Sequence, residues 1–222
     1  MDWVALSLSL RLATMTVLVL LPIGIFAGRA LAYHQFRGKG LVEALVALPL
    51  VLPPTVLGYY LLVAFGTASP IGQVWHAVFG SQLVFSFEGL LIASVIFNLP
   101  FAIQPMQRSF EAIPPEVRDA AACCGMSPTT ALAKVELPLA WPGILTAMVL
   151  SFAHTLGEFG IVLMVGGSIP GETKTIAIAI YDRVQAFDDV AAGRMSALLL
   201  AISLATIGLT YTLSRRVGRR LG

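Results

Sequence analysis

Apolar residues gather into five stretches of the chain, each close to the 20 or so residues that a helix needs to cross a bilayer. The first covers residues 4–28, and only Arg11 interrupts it, near one end where a long side chain can snorkel to the interface. The second covers 41–65 with Glu43 at its edge, and the third covers 89–107 without a formal charge. The fourth covers 139–165 and holds His154 and Glu158; the fifth covers 195–213. Residues 70–87 are apolar too, but Gly and Pro break them, which predicts a turn or short helix at the interface. The longest polar stretch, 108–138, separates the third and fourth spans. The pattern predicts an all-α integral membrane protein, a single domain over residues 1–222.

Composition agrees with the pattern. Residues of the set AVILMFWYC make up 57% of the chain and charged residues 12%, where a soluble domain carries about 25% charged residues. A soluble fold of this size could not hide that much apolar side chain, so membrane lipid is the first expected partner. The 14 basic and 12 acidic residues nearly cancel, which gives no basis for nucleic-acid binding. Their placement says more. Arg29, Arg37, Lys39, Arg108, Arg118, Lys134, Arg215, Arg216, Arg219 and Arg220 fall on one side of a five-helix arrangement, and Arg11, Lys174, Arg183 and Arg194 on the other. That bias predicts an outer N-terminus and a cytoplasmic C-terminus. Cys123 and Cys124 are adjacent, which suits neither a disulfide framework nor a C-x-x-C metal site; small residues filling a tight helix contact account for them better. The first apolar stretch has no basic lead-in and is long enough to span, so no cleavable leader is expected.

The 108–138 loop reads as two short helices and a turn. Pro114 and Pro115 open the first helix, and Glu116 and Asp119 lie near its N-terminus, where the helix dipole favours anions. Gly125 is a left-handed stop, Ser127–Pro128 starts a second helix, and Pro138 is expected to break the chain before the fourth span. Asp119-Ala120-Ala121 is followed by three residues, Gly125, nine residues, and then Val135-Glu136-Leu137-Pro138. This resembles the EAA loop of binding-protein-dependent ABC importer permeases, E-A-A, three residues, G, nine residues, I-x-L-P, with Asp for Glu and Val for Ile. The resemblance implies the five-helix type I permease fold and a coupling helix that enters a groove on an ATPase subunit. Asp119, Ala120, Ala121, Gly125, Val135, Leu137 and Pro138 would carry that coupling. It also implies two ATPase copies, a second copy of this chain, a periplasmic or lipoprotein oxyanion-binding protein, and the bacterial inner membrane. No G-x-x-x-x-G-K-[ST] phosphate loop is present, so ATP hydrolysis is expected from the partner, and no cofactor is expected here.

Further segments resemble the molybdate and sulfate branch of that family, the molybdate permeases most closely. They are the run from Leu48 to Gly58, Gly157-Glu158-Phe159-Gly160, and the run from Gly166 to Thr173 leading to Ala179-Ile180-Tyr181. The resemblance implies molybdate import, with sulfate, thiosulfate or tungstate as alternatives; the short length favours molybdate.

Pro53 and Pro54 cannot donate hydrogen bonds, which predicts a broken second helix with Thr55 beside it, and Asn98, Pro100, Gln104 and Pro105 predict the same in the third. Irregular backbone inside a membrane is tolerated only against protein or a water-filled path. Pro53, Pro54, Thr55, Asn98, Pro100, His154 and Glu158 are therefore candidates for a pathway or gate. His154 and Glu158 are four apart, on one helix face. Glu158 is expected to be neutralised by His154, Arg11 or a helix end, in a structural or gating role. Ser168, Thr173 and Lys174, with Thr175, are candidates for contact with the binding protein or the ion. A proton-coupled transporter using Glu158 would leave the loop unexplained. A polytopic membrane enzyme fares worse: His34, His76 and His154 are scattered, and neither H-E-x-x-H nor a G-x-S-x-G motif occurs.

Overall fold

The computed structural model describes residues 1–221, with side chains through Gly208; the tail arginines Arg215, Arg216, Arg219 and Arg220 lie outside the described side chains. The described residues are helical and contain no strand. In chain order the helices are α1 (Trp3–Tyr33), α2 (Lys39–Val51), α3 (Pro54–Phe65), α4 (Pro70–Phe79), α5 (Phe87–Glu111) and α6 (Pro115–Cys123). Then come α7 (Pro128–Ala131), a π-helical turn (Leu132–Glu136), α8 (Leu137–Gly157), α9 (Gly160–Gly166), α10 (Ile176–Gln185) and α11 (Asp189–Leu221).

Among the described residues, four stretches are long and apolar enough to span alone: Trp3–Tyr33, Phe87–Glu111, Pro128–Gly157 and Asp189–Gly208. The expected second span is a pair instead, α2 and α3, bent by 110°. Pro54 opens α3, and the carbonyl of Pro53 accepts the N–H groups of Val56 and Leu57, so the new helix starts with its first donors satisfied. Helix α4 confirms the short helix expected between the second and third spans.

Two expectations fail. The third span does not break at its prolines: α5 runs through both Pro100 and Pro105, between α1 and α8, which pack along it. Each proline removes one internal hydrogen bond, and a helix packed on two sides tolerates that loss. The fourth span also differs. Pro138 does not break the chain, because the π-helical turn just before it, with the Leu137 N–H donating to Leu132, widens the helix around the ring. The helical run begins at Pro128 and ends at Gly157, eight residues short of the expected end, and α9 starts separately at Gly160.

Packing centres on α1, α5 and α8. Met106, Phe110, Ala140, Ile144 and Ala147 form the buried cluster where α5 meets α8. Gly24 and Gly28 sit one helical turn apart on α1 and bring its backbone onto α5: a Cβ on Gly28 would lie 3.0 Å from the Gln107 nitrogen. On the other side α3 lies on α9, where a Cβ on Gly58 would come within 2.9 Å of Met164 Cβ. Leu6, Ile176 and Met195 join α1, α10 and α11.

Gly28→Leu is expected to force α1 away from α5 and cost about 1–3 kcal/mol. A clear fall in the thermal unfolding midpoint in detergent would show it, with Gly40→Ala, where a Cβ meets nothing within 4 Å, as the neutral control.

Candidate functional site

The 108–138 loop sits at the end of the bundle where α1 and α5 finish. Helix α6 stops in a Schellman turn: Met126 N–H donates to the Ala121 carbonyl and Gly125 N–H to Ala122. Gly125 has φ +72°, left-handed backbone that a β-branched residue strongly resists. Ser127 caps the next helix by accepting the Thr130 N–H at 3.3 Å. Helix α6 has two faces. Asp119 and Ala120 are exposed, while Ala121 is buried and Val117 packs on the α5–α8 cluster. Val135 and Leu137 are partly buried beside the π-helical turn, and Pro138 is exposed.

Glu136, which the motif spacing leaves as an unspecified position, is the most informative residue of the loop. It is only 2% exposed. The Arg29 guanidinium donates to both of its oxygens, one at 3.1 Å, and Arg118 of α6 lies 3.8 Å away. The Arg118 guanidinium also lies 3.6 Å from the centre of the Tyr33 ring. The Tyr33 hydroxyl donates to the Phe110 carbonyl at 3.2 Å. Residues of α1, α6 and the π-helical turn thus converge on one carboxylate, and Tyr33 ties the cluster to α5. The sequence signal for it was a lone acid before Leu137-Pro138 and a lone base near the end of the first span. At the same end, Gln107 donates to Glu43 and to Glu111, both at 2.9 Å, tying the start of α2 to the end of α5.

Inside the bundle, Asn98 holds a second polar cluster. Its Nδ2 donates to the Ser94 carbonyl at 2.8 Å and to Thr155 Oγ1 at 3.1 Å; Thr155 in turn donates to the Ser151 carbonyl. His154 Nδ1 lies 3.2 Å from Asn98 Oδ1, so that nitrogen carries the proton and donates. The imidazole is flanked by the rings of Phe97 and Phe101, with centroids at 4.6 and 4.2 Å. Pro100, two residues beyond Asn98, is buried. Sequence reasoning placed Asn98 and His154 near the pathway but missed that Asn98 pairs with His154 and Thr155.

Glu158 pairs with neither His154 nor Arg11. The helix has ended by Gly157, so the four-residue spacing no longer puts the two side chains on one face. Arg11 instead lies 4.4 Å from the Phe87 ring centre. The Glu158 carboxylate accepts the Ile161 N–H at 2.9 Å, capping α9, which matches the helix-end alternative. The two breaks meet here. A Cβ on Gly160 would be 2.9 Å from Pro54 Cβ, so the start of α3 rests on the start of α9. Pro53, Pro54 and Thr55 are exposed at that contact.

In the opposite loop the three candidate contact residues are placed differently. Thr173 is fully buried and accepts the Ile169 N–H at 3.1 Å, which closes the loop rather than facing a partner. Lys174 forms an ion pair with Asp182. Ser168 is exposed, with its hydroxyl 3.5 Å from the same aspartate.

Asn98→Leu is expected to leave the buried Thr155 hydroxyl and the His154 N–H short of partners, at a cost of about 1–3 kcal/mol. A drop in detergent unfolding temperature in that variant, larger than in Ser168→Ala, would register it.

Comparison with known proteins agrees with this architecture. Residues 21–220 match the family described as binding-protein-dependent transport system inner membrane component. The chain is 44% identical over 215 residues to the molybdenum transport system permease protein ModB of Azotobacter vinelandii, covering 97% of this chain and 95% of that one. It is 32% identical to the sulfate transport system permease protein CysT of Escherichia coli, covering 89% of this chain and 71% of that longer one. Among solved structures, a bacterial alginate ABC transporter in complex with an alginate pentasaccharide-bound periplasmic protein aligns at TM-score 0.76 and 16% identity, over 96% of this chain and 78% of that one. The inward-facing MetNI methionine ABC transporter aligns at TM-score 0.70 and 16% identity, over 97% and 94%. The chain belongs to the family of binding-protein-dependent transport system inner membrane components, and it is a multi-pass inner-membrane permease subunit of an ABC importer.

Proposed function

We propose that this family member is the permease of an ATP-driven molybdate importer, built from two copies of the chain, two ATPase subunits and an external oxyanion-binding protein. The observation that carries the proposal is the two-faced helix α6. Its buried face is braced on the membrane helices, and its exposed face, with Asp119 and Ala120, is free to enter a partner's groove. The Schellman turn at Gly125 fixes the angle between α6 and the helix through Val135, Leu137 and Pro138. The excess of basic residues at this end supports a cytoplasmic position, where an ATPase works. Near-complete coverage of a molybdenum permease, against a shorter match to a longer sulfate permease, favours molybdate. Sulfate, thiosulfate and tungstate are the alternatives within the branch.

The pathway and its gate are assigned to the breaks at Pro53–Pro54 and Gly157–Phe159, with Thr55 and Glu158 beside them, and to the cluster of Asn98 and His154 next to Pro100. The neutral donors and acceptors of Thr55, Asn98 and His154 suit an oxyanion that must be bound weakly enough to leave, while the Glu158 carboxylate is engaged with the Ile161 N–H. Tight recognition then belongs to the external binding protein, with the exposed Ser168 loop, stiffened by Thr173 and Lys174, as its docking point.

The complex reconstituted in proteoliposomes with the ATPase and binding protein is expected to take up labelled molybdate only with ATP inside, and tungstate is expected to compete better than sulfate. Uptake that needs a proton gradient and no ATP would overturn the proposal. Gly125→Val is expected to strain the turn by about 1–2 kcal/mol and cut uptake more than Gly125→Asn, which tolerates left-handed backbone. Equal uptake by the two variants would count against the turn as a coupling element.

A further inference from the structure

Helix α6 is joined to α8 by four residues, Cys124 to Ser127, and the short helix that follows. On its other side three residues, Ala112 to Pro114, join α6 to α5, so the backbone links α6 to α5 and α8 but not to α1. Side chains supply the missing link. Glu136 is buried, and the two guanidiniums on it come from α1 and α6. Arg118 is held twice, by the carboxylate and by the Tyr33 ring, and Tyr33 is itself pinned to the last turns of α5.

The π-helical turn is what aims Glu136 inward. Removing its extra residue would rotate the side chains on one side of it by about 100° relative to the other, which would separate Glu136 from α1 or reorient α8. The widened turn spoils regular hydrogen bonding, and such turns cluster at functional positions. The two arginines are not equivalent. Arg29 makes a two-point, planar contact with the carboxylate, a fixed bond between α1 and the start of α8. Arg118 lies further out, its side chain 38% exposed and stacked on a ring face, which lets it slide while keeping its charge near the carboxylate.

We propose that Arg29, Glu136, Arg118 and Tyr33 are positioning residues that transmit displacement of α6 to α1, so that it moves with α5 and α8, with Arg29–Glu136 as the fixed joint and Arg118–Tyr33 as the moving one. The proposal rests on α6 being the ATPase contact. A push on α6 through its backbone reaches α5 and α8; the link through Arg118 adds α1, so all three bundle helices move together, as opening or closing a path between them requires.

The test measures ATP hydrolysed per labelled molybdate ion imported, in the whole complex with its ATPase and binding protein. Arg118→Leu removes the moving joint and leaves Glu136 paired with Arg29, so no buried charge is stranded and the complex is expected to assemble. Uptake per ATP is expected to fall about fivefold or more in that variant, and Arg118→Lys, which keeps a cation near both the carboxylate and the ring, is expected to recover part of it. Arg29→Lys keeps the charge and loses the two-point geometry, and is expected to lower the same ratio. An unchanged ratio in an Arg118→Leu complex with the wild-type amount of ATPase would overturn the transmission role. So would parallel loss of assembly, hydrolysis and uptake in all three variants, the mark of a purely structural cluster. Failure of the wild-type chain to retain the ATPase would instead reject α6 as the docking helix, and the linkage with it.

Discussion

Hydrocarbon offers no hydrogen bonds, so every place where this chain stops being helical inside the membrane must find its partners within the protein. That constraint organises the fold. The first break, at Leu52 and Pro53, uses proline to remove donors and turns the Pro53 carbonyl to the next helix. The second, at Glu158, uses a side-chain carboxylate to take up a donor at the start of α9. Because Gly160 lacks a side chain, the two restarted helices touch at their first turns. The irregular backbone is gathered into one place, while α1, α5 and α8 stay continuous and carry the packing. A kink scattered along each helix would have exposed polar groups at several depths; two facing breaks confine them to one.

Much of this was legible in the sequence where the signal is local. Apolar runs marked the spans, the Pro53–Pro54 pair marked the first break, and fixed spacing identified the loop with its glycine turn. The misses share a cause: each depended on a neighbour distant in sequence or on where a helix ends. Pro138 looked like a breaker because a proline removes a donor, but a single inserted residue in the turn before it absorbs that loss. Pro100 and Pro105 looked the same, yet α5 is clasped on two sides and continues. Glu158 and His154 looked like a pair because helix periodicity was extended past Gly157. Once the helix stops there, His154 belongs to Asn98 and Glu158 to α9. Arg29 and Glu136 are 107 residues apart, so no window along the chain could join them.

The sparse charges are spent unevenly. At the α6 end, Glu136 and Gln107 each bind two elements together, and Lys39, Glu43 and Glu111 add to the network. Around α4 such pairs are absent, since residues 66–87 contain no Lys, Arg, Asp or Glu, and the ion pairs Lys174–Asp182 and Arg183–Asp188 come only after α9. Helix α3 is held there by apolar contact, Leu61 and Phe65 packing with Phe97 and Val165. Apolar contacts are non-directional and slide at low cost, whereas a buried, two-point ion pair is directional and is costly to break. The α6 end therefore holds register through directional pairs, whereas α3 rests on apolar packing that shifts more easily.

The exposed surface of α2 and α3 carries that contrast further. Leu41, Leu45, Leu48 and Val51 on α2 and Tyr59, Tyr60 and Val63 on α3 are largely exposed, and Pro49 is the buried residue of α2. Lipid can cover such a face, but two features suit protein better. The 110° bend leaves backbone around Pro53 that lipid tails cannot satisfy, and the tyrosine hydroxyls need polar partners. A second copy of the chain presents the same bend and the same tyrosines, so pairing the two faces around an axis would enclose both breaks between the subunits. On the proposed two-copy assembly, the path would run where the two chains meet, lined by the backbone that each had to leave irregular.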